Sequence, residues 1–302
     1  MKHVPVLLHE IIDGLNLKDG DIFLDGTLGS AGHTLAVAER FGDSVEIIGI
    51  DRDEEALKRS EERLRTFNHS AYLKLSSFRN LDEVLQGLGV KEVNAILLDL
   101  GISSEQIDDS GRGFTFKKDE PLSMSMEKNP KGVTAKEILN HWDEDTLEII
   151  LRGFGEERFS RRIAKSIVDY REIKPFETTF DLLEAVDAAL PASVKNRGYQ
   201  KINPATKTFQ ALRIAVNEEL ASLEEGLDKA FNSLGDKGRL AAISFHSLED
   251  RIVKNFMRDL AKSGQGKLIT KKPITPSDEE VDTNPRSRSA KLRIIEKNAI
   301  QN

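Results

Sequence analysis

The sequence predicts an α/β protein in which a doubly wound parallel sheet carries an inserted all-helical domain. In the first third of the chain, short apolar runs of strand length alternate with amphipathic segments of helical period. This alternation stops near Gln106, and helical patterns alone follow until an apolar strand pattern returns over residues 238–245. We therefore predict a sheet domain from residues 1–105 and 205–302, and an insertion from residues 106–204.

A strand, a glycine loop, a helix and a second strand are predicted within residues 21–53. The strands are the apolar runs 22–24 and 47–50, and the turn after the first contains Gly26, Gly29 and Gly32. We expect Ser30 to cap the helix between the strands. Asp51 ends the second strand, where an acid can accept hydrogen bonds from both hydroxyls of a ribose. The cofactor is therefore expected to contain adenosine.

The glycine loop lacks both common phosphate-binding patterns. The dinucleotide fingerprint would need a glycine where Thr27 stands, and no Gly-Lys-Ser/Thr ending of a P-loop is present. A loop without lysine or arginine suits S-adenosylmethionine better than NAD or ATP. A nicotinamide-dependent dehydrogenase remains the less favoured alternative.

The other elements follow from the same periodicities. Further strands are predicted at residues 71–75, 93–100 and 238–245. Helices are predicted at residues 53–67, 81–88, 135–140, 145–153, 156–172 and 180–190, with one long helix over residues 204–234.

Composition limits the kind of protein and its partners. The 302 residues include no cysteine, and the six histidines show no metal-ligand spacing, so no metal site is expected. No apolar run reaches membrane-spanning length and the amino terminus does not fit a secretory signal, which favours a cytoplasmic protein. The net charge of −7 argues against binding of nucleic acid by bulk electrostatics, so any such binding must use local basic patches.

Polar residues follow two of the predicted strands. Asp99 ends the fourth strand and precedes Ser103 and Ser104, while His246 follows the fifth. If these strands are neighbours, the side chains share the crevice where open α/β sheets bind ligands. Asp99 and His246 are then candidate proton acceptors, with Ser103 and Ser104 as orienting hydroxyls. The alternative is structural, with Asp99 as a cap for one of the serines.

The segment around His246 also predicts the start of a helix. We expect Ser247 to be its cap and Asp250 the acid of a capping box. A histidine beside a cap is often structural, so both roles stay open for His246.

Two basic segments are candidates for contacts with phosphates. Arginines and Lys165 flank apolar residues over residues 155–165, and a second basic segment runs from residue 284 to residue 293. Such side chains fix a nucleic acid without reading its sequence. The alternative is a solvated charged face paired with Glu156 and Glu157.

The chain resembles the RsmH (MraW) family of S-adenosylmethionine-dependent methyltransferases. The matching blocks are HVPVLLHE, DGTLGSAGHT, GIDRDEEAL, DLGISSEQID, GRGFTF, GEERFSRRIAKSIV, NPATKTFQALRIAVNEEL, ISFHSLEDRIVKNF and NPRSRSAKLR. The resemblance implies a Rossmann-like class I methyltransferase sheet with an inserted helical domain for substrate recognition. It also implies methylation of N4 of a cytidine in the decoding region (P site) of bacterial 16S rRNA in the small ribosomal subunit.

The resemblance further implies which residues contact S-adenosylmethionine. Carried over position by position, they are Ala31, Gly32, His33, Asp51, Phe78, Asp99 and Gln106. An apolar ring such as Phe78 can pack on adenine. The oligomeric state stays open, with a homodimer among the alternatives.

This chain departs from the family pattern at a few positions. Ser123 and Ser125 stand where the family usually has aspartate and arginine, Asn203 and Lys207 where it has histidine and arginine, and Ala31 where it has glycine. Most of these changes fall on segments expected to shape the RNA side. They keep open the alternative of a catalytically weakened RNA-binding or ribosome assembly factor.

Overall fold

The computed structural model describes residues 5–66, 71–130, 132–195 and 203–299. It separates into two compact units, one formed by Met1–Gly101 with Leu220–Asn302 and the other by Ile102–Glu219. Among the described residues, no helix combines the length and the apolar character that crossing a membrane requires.

The first unit is built on a seven-stranded sheet in the order β3-β2-β1-β4-β5-β7-β6. The strands are β1 (Ile22–Asp25), β2 (Glu46–Asp51), β3 (Tyr72–Leu75), β4 (Val93–Asp99), β5 (Leu234–Ser244), β6 (Gly266–Leu268) and β7 (Lys291–Lys297). Strands β1 to β5 pair in parallel, and β7 runs antiparallel to both β5 and β6. Strands β2 and β3 are added on one side of β1, and β4 and β5 on the other, so the strand order changes direction between β1 and β4. Open α/β sheets bind ligands at such a switch point.

Helices cover both faces of this sheet. They are α1 (Leu8–Leu15), α2 (Gly32–Phe41), α3 (Glu54–Thr66), α4 (Leu81–Leu88), α12 (Glu219–Asn232), α13 (Ser247–Lys262) and α14 (Asp278–Thr283). Along β4, Ala95 and Leu97 belong to the core on one face, and Ile96 and Leu98 to the core on the other. This alternation is the pattern of a strand buried on both sides.

The second unit has its own apolar core, which includes Ile138, Leu147, Ile163 and Phe176. Its elements in the described residues are α5 (Ser104–Asp108), α6 (Ala135–His141), α7 (Glu144–Gly153), α8 (Ser160–Arg171), α9 (Thr179–Ala189), α10 (Ala192–Lys195) and α11 (Thr206–Asn217), with a single bridge between Pro121 and Thr178. The sequence suggested limits of 106 and 204 for this unit. In the structure it is larger and runs from Ile102 to Glu219.

The predicted helix over residues 204–234 is wrong as a single element. It is two helices, α11 and α12, separated at Glu218, whose φ of 48° lies in the left-handed region. The Asn217 amide donates to the carbonyl of Met124 and accepts from the amide of Met126, both at 2.8 Å. These long-range bonds stabilise a break that local periodicity does not reveal.

The last two strands were not predicted from the sequence. Strand β7 begins inside the basic segment 284–293, where Arg293 is buried and paired with Asp250 at 2.8 Å. Because a buried arginine interrupts the apolar pattern of the segment, the sequence does not indicate a strand there. Strand β5 also begins earlier than predicted, at Leu234, and its register against β4 shifts between Val93 and Ala95.

Candidate active site

Three carboxylates lie at the carboxyl ends of neighbouring strands. Asp25 ends β1, Asp51 ends β2 and Asp99 ends β4. Because these strands are parallel and adjacent, their carboxyl ends meet at one edge of the sheet. Asp51 and Asp99 were predicted to be there, but Asp25 was not, although the same strand-end rule applies to it.

The loop after β1 is fixed to its neighbours by backbone contacts. The amide of Gly29 donates to Asp51 Oδ2 at 2.7 Å, and the amide of Leu28 donates to the carbonyl of Ile50 at 3.0 Å. The Thr27 hydroxyl accepts from the amide of Asp99 at 2.6 Å. Thr27 therefore ties the loop to the end of β4, a role that its mismatch to the dinucleotide pattern did not suggest.

The start of α2 differs from the prediction. Ala31 precedes the helix with a φ of 58°, and the Oγ of Ser30 has no hydrogen-bond partner among the described residues. Ser30 is therefore not the cap, because the left-handed backbone at Ala31 removes the extended geometry that a capping side chain uses. Ala31, Gly32 and His33 form the turn into α2.

Both carboxylate oxygens of Asp51 accept hydrogen bonds from backbone amides. Besides Gly29 on Oδ2, the amide of Asp53 donates to Oδ1 at 2.8 Å. Burial raises the pKa of Asp51 in spite of these hydrogen bonds. A backbone hydrogen bond from Arg52 acts on the same carboxylate. A carboxylate has about four acceptor sites, so Asp51 can still accept a further donor such as a ribose hydroxyl.

Asp99 and His33 face each other at the end of β4. His33 Nδ1 lies 3.8 Å from Asp99 Oδ2, and His33 Nε2 lies 2.9 Å from the carbonyl of Val6. Asp99 Oδ1 is buried without a hydrogen-bond partner among the described residues, although 27% of the side chain is exposed. Burial raises the pKa of Asp99 to about 7, and the negative charge of Glu249 adds to this effect.

Burial also shifts the pKa values of Asp25 and His33, in opposite directions. Burial raises the pKa of Asp25 to about 6, although Asp25 accepts hydrogen bonds from the Thr34 hydroxyl at 2.7 Å and the Thr27 amide at 3.2 Å. Burial lowers the pKa of His33, because the protonated ring loses hydration. Perturbed titratable groups of this kind are typical of functional sites.

Phe78 lies beside the glycine loop. It begins a one-turn helix, Phe78–Asn80, after β3. A Cβ atom on Gly26 would lie 3.2 Å from Phe78 Cβ, so the two residues are direct neighbours. The ring is half-buried against the core on that face of the sheet.

His246 is the cap of α13, which corrects the prediction of Ser247 by one residue. His246 Nδ1 accepts from the amide of Glu249 at 3.4 Å, and Glu249 Oε2 accepts from the amides of Phe245 and His246 at 2.8 and 3.3 Å. His246 Nε2 lies 3.2 Å from Glu249 Oε1, without hydrogen-bond geometry. Glu249 is thus the acid of the capping box, and Asp250 instead pairs with Arg293 and Lys291.

Ser103 and Gln106 belong to the second unit, where they start α5 together. Ser103 Oγ accepts from the amide of Gln106 at 3.1 Å, and Gln106 Oε1 accepts from the amide of Ser103 at 3.0 Å. This is a capping box, so Asp99 is not the cap of this helix.

The two basic segments differ in structure. Arg158, Arg161 and Arg162 are exposed at the start of α8, and the Arg158 guanidinium lies 5.6 Å from the centre of the Phe159 ring. Glu157 is buried and accepts from the amide of Phe159 at 2.7 Å. In the second segment Arg286 and Arg288 are exposed, whereas Lys291 and Arg293 pair with Asp250. The exposed arginines of that segment therefore lie in its first part.

The residues that depart from the family pattern make local contacts. Ser123 Oγ accepts from the amide of Ser125 at 3.4 Å, and Ser125 Oγ accepts from the amide of Glu127 at 3.1 Å. Asn203 Oδ1 accepts from the amide of Ala205 at 2.8 Å, and Lys207 Nζ donates to the carbonyl of Glu156 at 2.8 Å. These side chains therefore support turns and a helix end in the second unit.

Comparison with known proteins supports a methyltransferase. A family model described as the MraW methylase family matches residues 1–298. A protein of Heliobacterium mobile named ribosomal RNA small subunit methyltransferase H is 46% identical over 312 residues, covering 98% of each chain. A protein of the same name from Sulfurihydrogenibium sp. (strain YO3AOP1) is 46% identical over 294 residues, covering 97% of this chain and 98% of the relative.

Similar solved structures are more distant. A protein from Streptococcus mutans, described as a methyltransferase in complex with SAH, has a TM-score of 0.48 at 14% identity and covers 98% of this chain and 99% of its own.

Proposed function

Because the chain belongs to the MraW methylase family, we propose that it transfers a methyl group from S-adenosylmethionine to N4 of a cytidine in the decoding region (P site) of bacterial 16S rRNA. The observation that carries this proposal is Asp99. Its carboxylate ends a strand at the switch point of the sheet, and one oxygen is buried without a partner among the described residues. A buried acceptor left unpaired costs about 1–3 kcal/mol, so its persistence points to a substrate that donates to it.

The residues at the strand ends fit the cofactor. Asp51 keeps acceptor capacity for a ribose hydroxyl, and Phe78 beside Gly26 offers a ring for the adenine. Ala31, Gly32 and His33 turn the chain into α2, whose amino end favours the carboxylate of a methionine moiety.

The chemistry needs an oriented amine and a proton acceptor. When bound, S-adenosylmethionine supplies a methyl group activated by its positively charged sulfur. The N4 amine of cytosine is a poor nucleophile because its lone pair is delocalised into the ring, so holding it in line with the methyl group is the main source of rate. As the new N–C bond forms and the C–S bond breaks, the amine must lose one proton.

We assign Asp99 as the acceptor of that proton. A pKa of about 7 places it near the pH at which general bases are most effective. The exposed 27% of its side chain gives the proton a way to solvent. His246 uses its Nδ1 as a helix cap, so we favour Asp99 over His246.

The RNA side of the reaction is assigned to basic residues. Exposed Arg161 and Arg162 on α8 and exposed Arg286 and Arg288 are suited to phosphate contacts. The cytosine must leave its stack to reach a buried carboxylate, so a small subunit with an accessible base is a better substrate than duplex RNA. Such a substrate places the protein in the cytoplasm, and the homodimer remains a proposal for size measurement in solution.

The test is methyl transfer to small ribosomal subunits from a strain that lacks this protein, followed by nucleoside mass spectrometry. We expect one N4-methylcytidine per subunit, formed about 10²–10⁴-fold more slowly by the Asp99→Asn variant. Binding of subunits without any methylated cytidine would instead support the assembly factor. Thermal stabilisation by NAD rather than by S-adenosylmethionine would support the dehydrogenase.

A further inference from the structure

We propose that Gly226 on α12 is a positioning residue that sets the Phe78 ring against the cofactor's adenine, an inference that rests on the proposed S-adenosylmethionine site. Gly226 is far from Phe78 in the sequence and belongs to none of the predicted site segments. The two meet because α12 packs on the same side of the sheet as the turn that follows β3.

The contact between the two residues leaves no room for a side chain. A Cβ atom on Gly226 would lie 2.4 Å from Phe78 Cδ2 and 2.6 Å from Phe78 Cε2. Carbon atoms pack at about 3.5–4.0 Å, so an alanine there would have to push the ring by about 1 Å. On the loop side, a Cβ atom on Gly26 would lie 3.2 Å from Phe78 Cβ, so both glycines lie close to this side chain.

A glycine in the middle of a helix is unfavourable by itself, because it leaves the unfolded chain more freedom than alanine does. Gly226 is buried in the middle of α12 and therefore has a packing reason to be there. Gly87 in α4 offers the opposite case, since a Cβ at that position would meet nothing within 4 Å. The pair separates the general effect of alanine in a helix from the effect on the ring.

A second contact fixes the same turn to α12. Arg79 Nε and Nη2 donate to the two oxygens of Glu225, both at 2.6 Å, and Ser77 Oγ accepts from the amide of Arg79 at 3.2 Å. Two-pronged pairs of this kind have a defined geometry. Glu225 and Gly226 on α12 thus contact the Arg79 side chain and the Phe78 ring of the same short helix.

The expected consequence is a change in affinity without a change in chemistry. Stacking of a base on an aromatic ring contributes about 1–3 kcal/mol, or roughly 5- to 150-fold in affinity. We expect Gly226→Ala to weaken binding of S-adenosylmethionine and of adenosine alone by at least about fivefold. The single-turnover rate at saturating cofactor should stay near that of the unchanged protein, because the adenine end does not touch the reacting methyl group.

The experiment is calorimetry with S-adenosylmethionine and with adenosine, on Gly226→Ala, on Phe78→Ala and on the double variant. If Gly226 acts through the ring, then Gly226→Ala should weaken binding in the unchanged protein and have no further effect once Phe78 is alanine. Gly87→Ala is the matched control and should leave both affinities unchanged. Equal losses from Gly226→Ala with and without the Phe78 ring would overturn the inference.

A second variant covers a failure of Gly226→Ala to fold. Glu225→Gln leaves the core untouched and weakens the hold on Arg79, so adenosine affinity should fall by about two- to fivefold. Unchanged adenosine affinity in that variant would also overturn the inference. If the unchanged protein methylates subunits and binds the cofactor, the proposed function stands even when the role of Gly226 does not.

Discussion

Replacing Asp99 with asparagine should stabilise the cofactor-free protein at neutral and alkaline pH. The carboxyl lies at the end of β4 with its Oδ1 buried and unpartnered among the described residues, and burial raises its pKa from 3.8 to about 7. Ionised Asp99 is therefore unfavourable in the folded protein. Asparagine keeps the shape of the side chain without the charge.

The size of this effect follows from the pKa shift. A shift of about three units corresponds to at most about 4 kcal/mol, since each unit is worth 1.36 kcal/mol. Partial exposure of the side chain lets solvent reduce this value, so we expect a gain of about 1–3 kcal/mol at pH 8.

The sign of the pH dependence also follows. The folded state holds the proton more tightly than the unfolded state, so the contribution of Asp99 to stability is fully present below pH 4 and is lost as the pH rises to about 7. The variant and the unchanged protein should thus have similar stability near pH 4. The difference between their free energies of unfolding should increase as the pH rises from 4 to about 7.

The assay is denaturant unfolding of both proteins from pH 4.5 to pH 8, with the first unit's transition followed separately if the two units unfold in steps. Asp25→Asn is a useful comparison, because that carboxyl accepts from Thr34 and Thr27 and its replacement disturbs those bonds. A gain for Asp99→Asn that is equally large at pH 4.5, or no gain at pH 8, would refute the burial argument.

Other predictions follow from the same geometry. Asp51→Ala should weaken S-adenosylmethionine binding by ~2–4 kcal/mol in calorimetry, because the ribose contacts and the acceptor for the Gly29 amide are lost. Unchanged affinity in a folded variant would show that the cofactor site has been assigned wrongly. Replacing Arg161 and Arg162 with alanine should weaken subunit binding and flatten its dependence on salt while cofactor affinity stays the same, and an unaltered slope would make them ordinary surface charge. Ala31→Gly should change the free energy of unfolding by less than about 1 kcal/mol, because relief of the left-handed strain offsets the lost buried methyl group; a loss above 2 kcal/mol in denaturant unfolding would contradict this balance.

The family, the enzyme class and the α/β fold class predicted from the sequence are confirmed. The fold class could be predicted because apolar runs ending in Asp51 and Asp99 are local signals, as is the glycine loop. The family and the enzyme class followed from the resemblance of the sequence blocks. The break at Glu218 and strand β7 could not, since both depend on partners distant in sequence, Met124 and Asp250. Local signals place elements, and long-range hydrogen bonds decide where they end.

The site shows the same division between local and distant information. Histidine is not a usual capping residue, so the sequence favoured Ser247, although Glu249 completes the box of His246 only three residues further on. The contact of Phe78 with Gly226 is likewise invisible in the sequence, because neither residue marks the other. Which residue types lie near the site could be predicted, whereas what holds them in place could not.

The three strand-end carboxylates differ in how fully their oxygens are used. Both oxygens of Asp51 accept backbone amides, and those of Asp25 accept from Thr27 and Thr34. Asp99 faces His33 with one oxygen and has no hydrogen-bond partner among the described residues for the other. The first two acids therefore fix the loop between β1 and α2, where their hydrogen bonds offset part of the cost of burial. No described residue gives Asp99 Oδ1 that compensation, and a donor on the substrate would supply it.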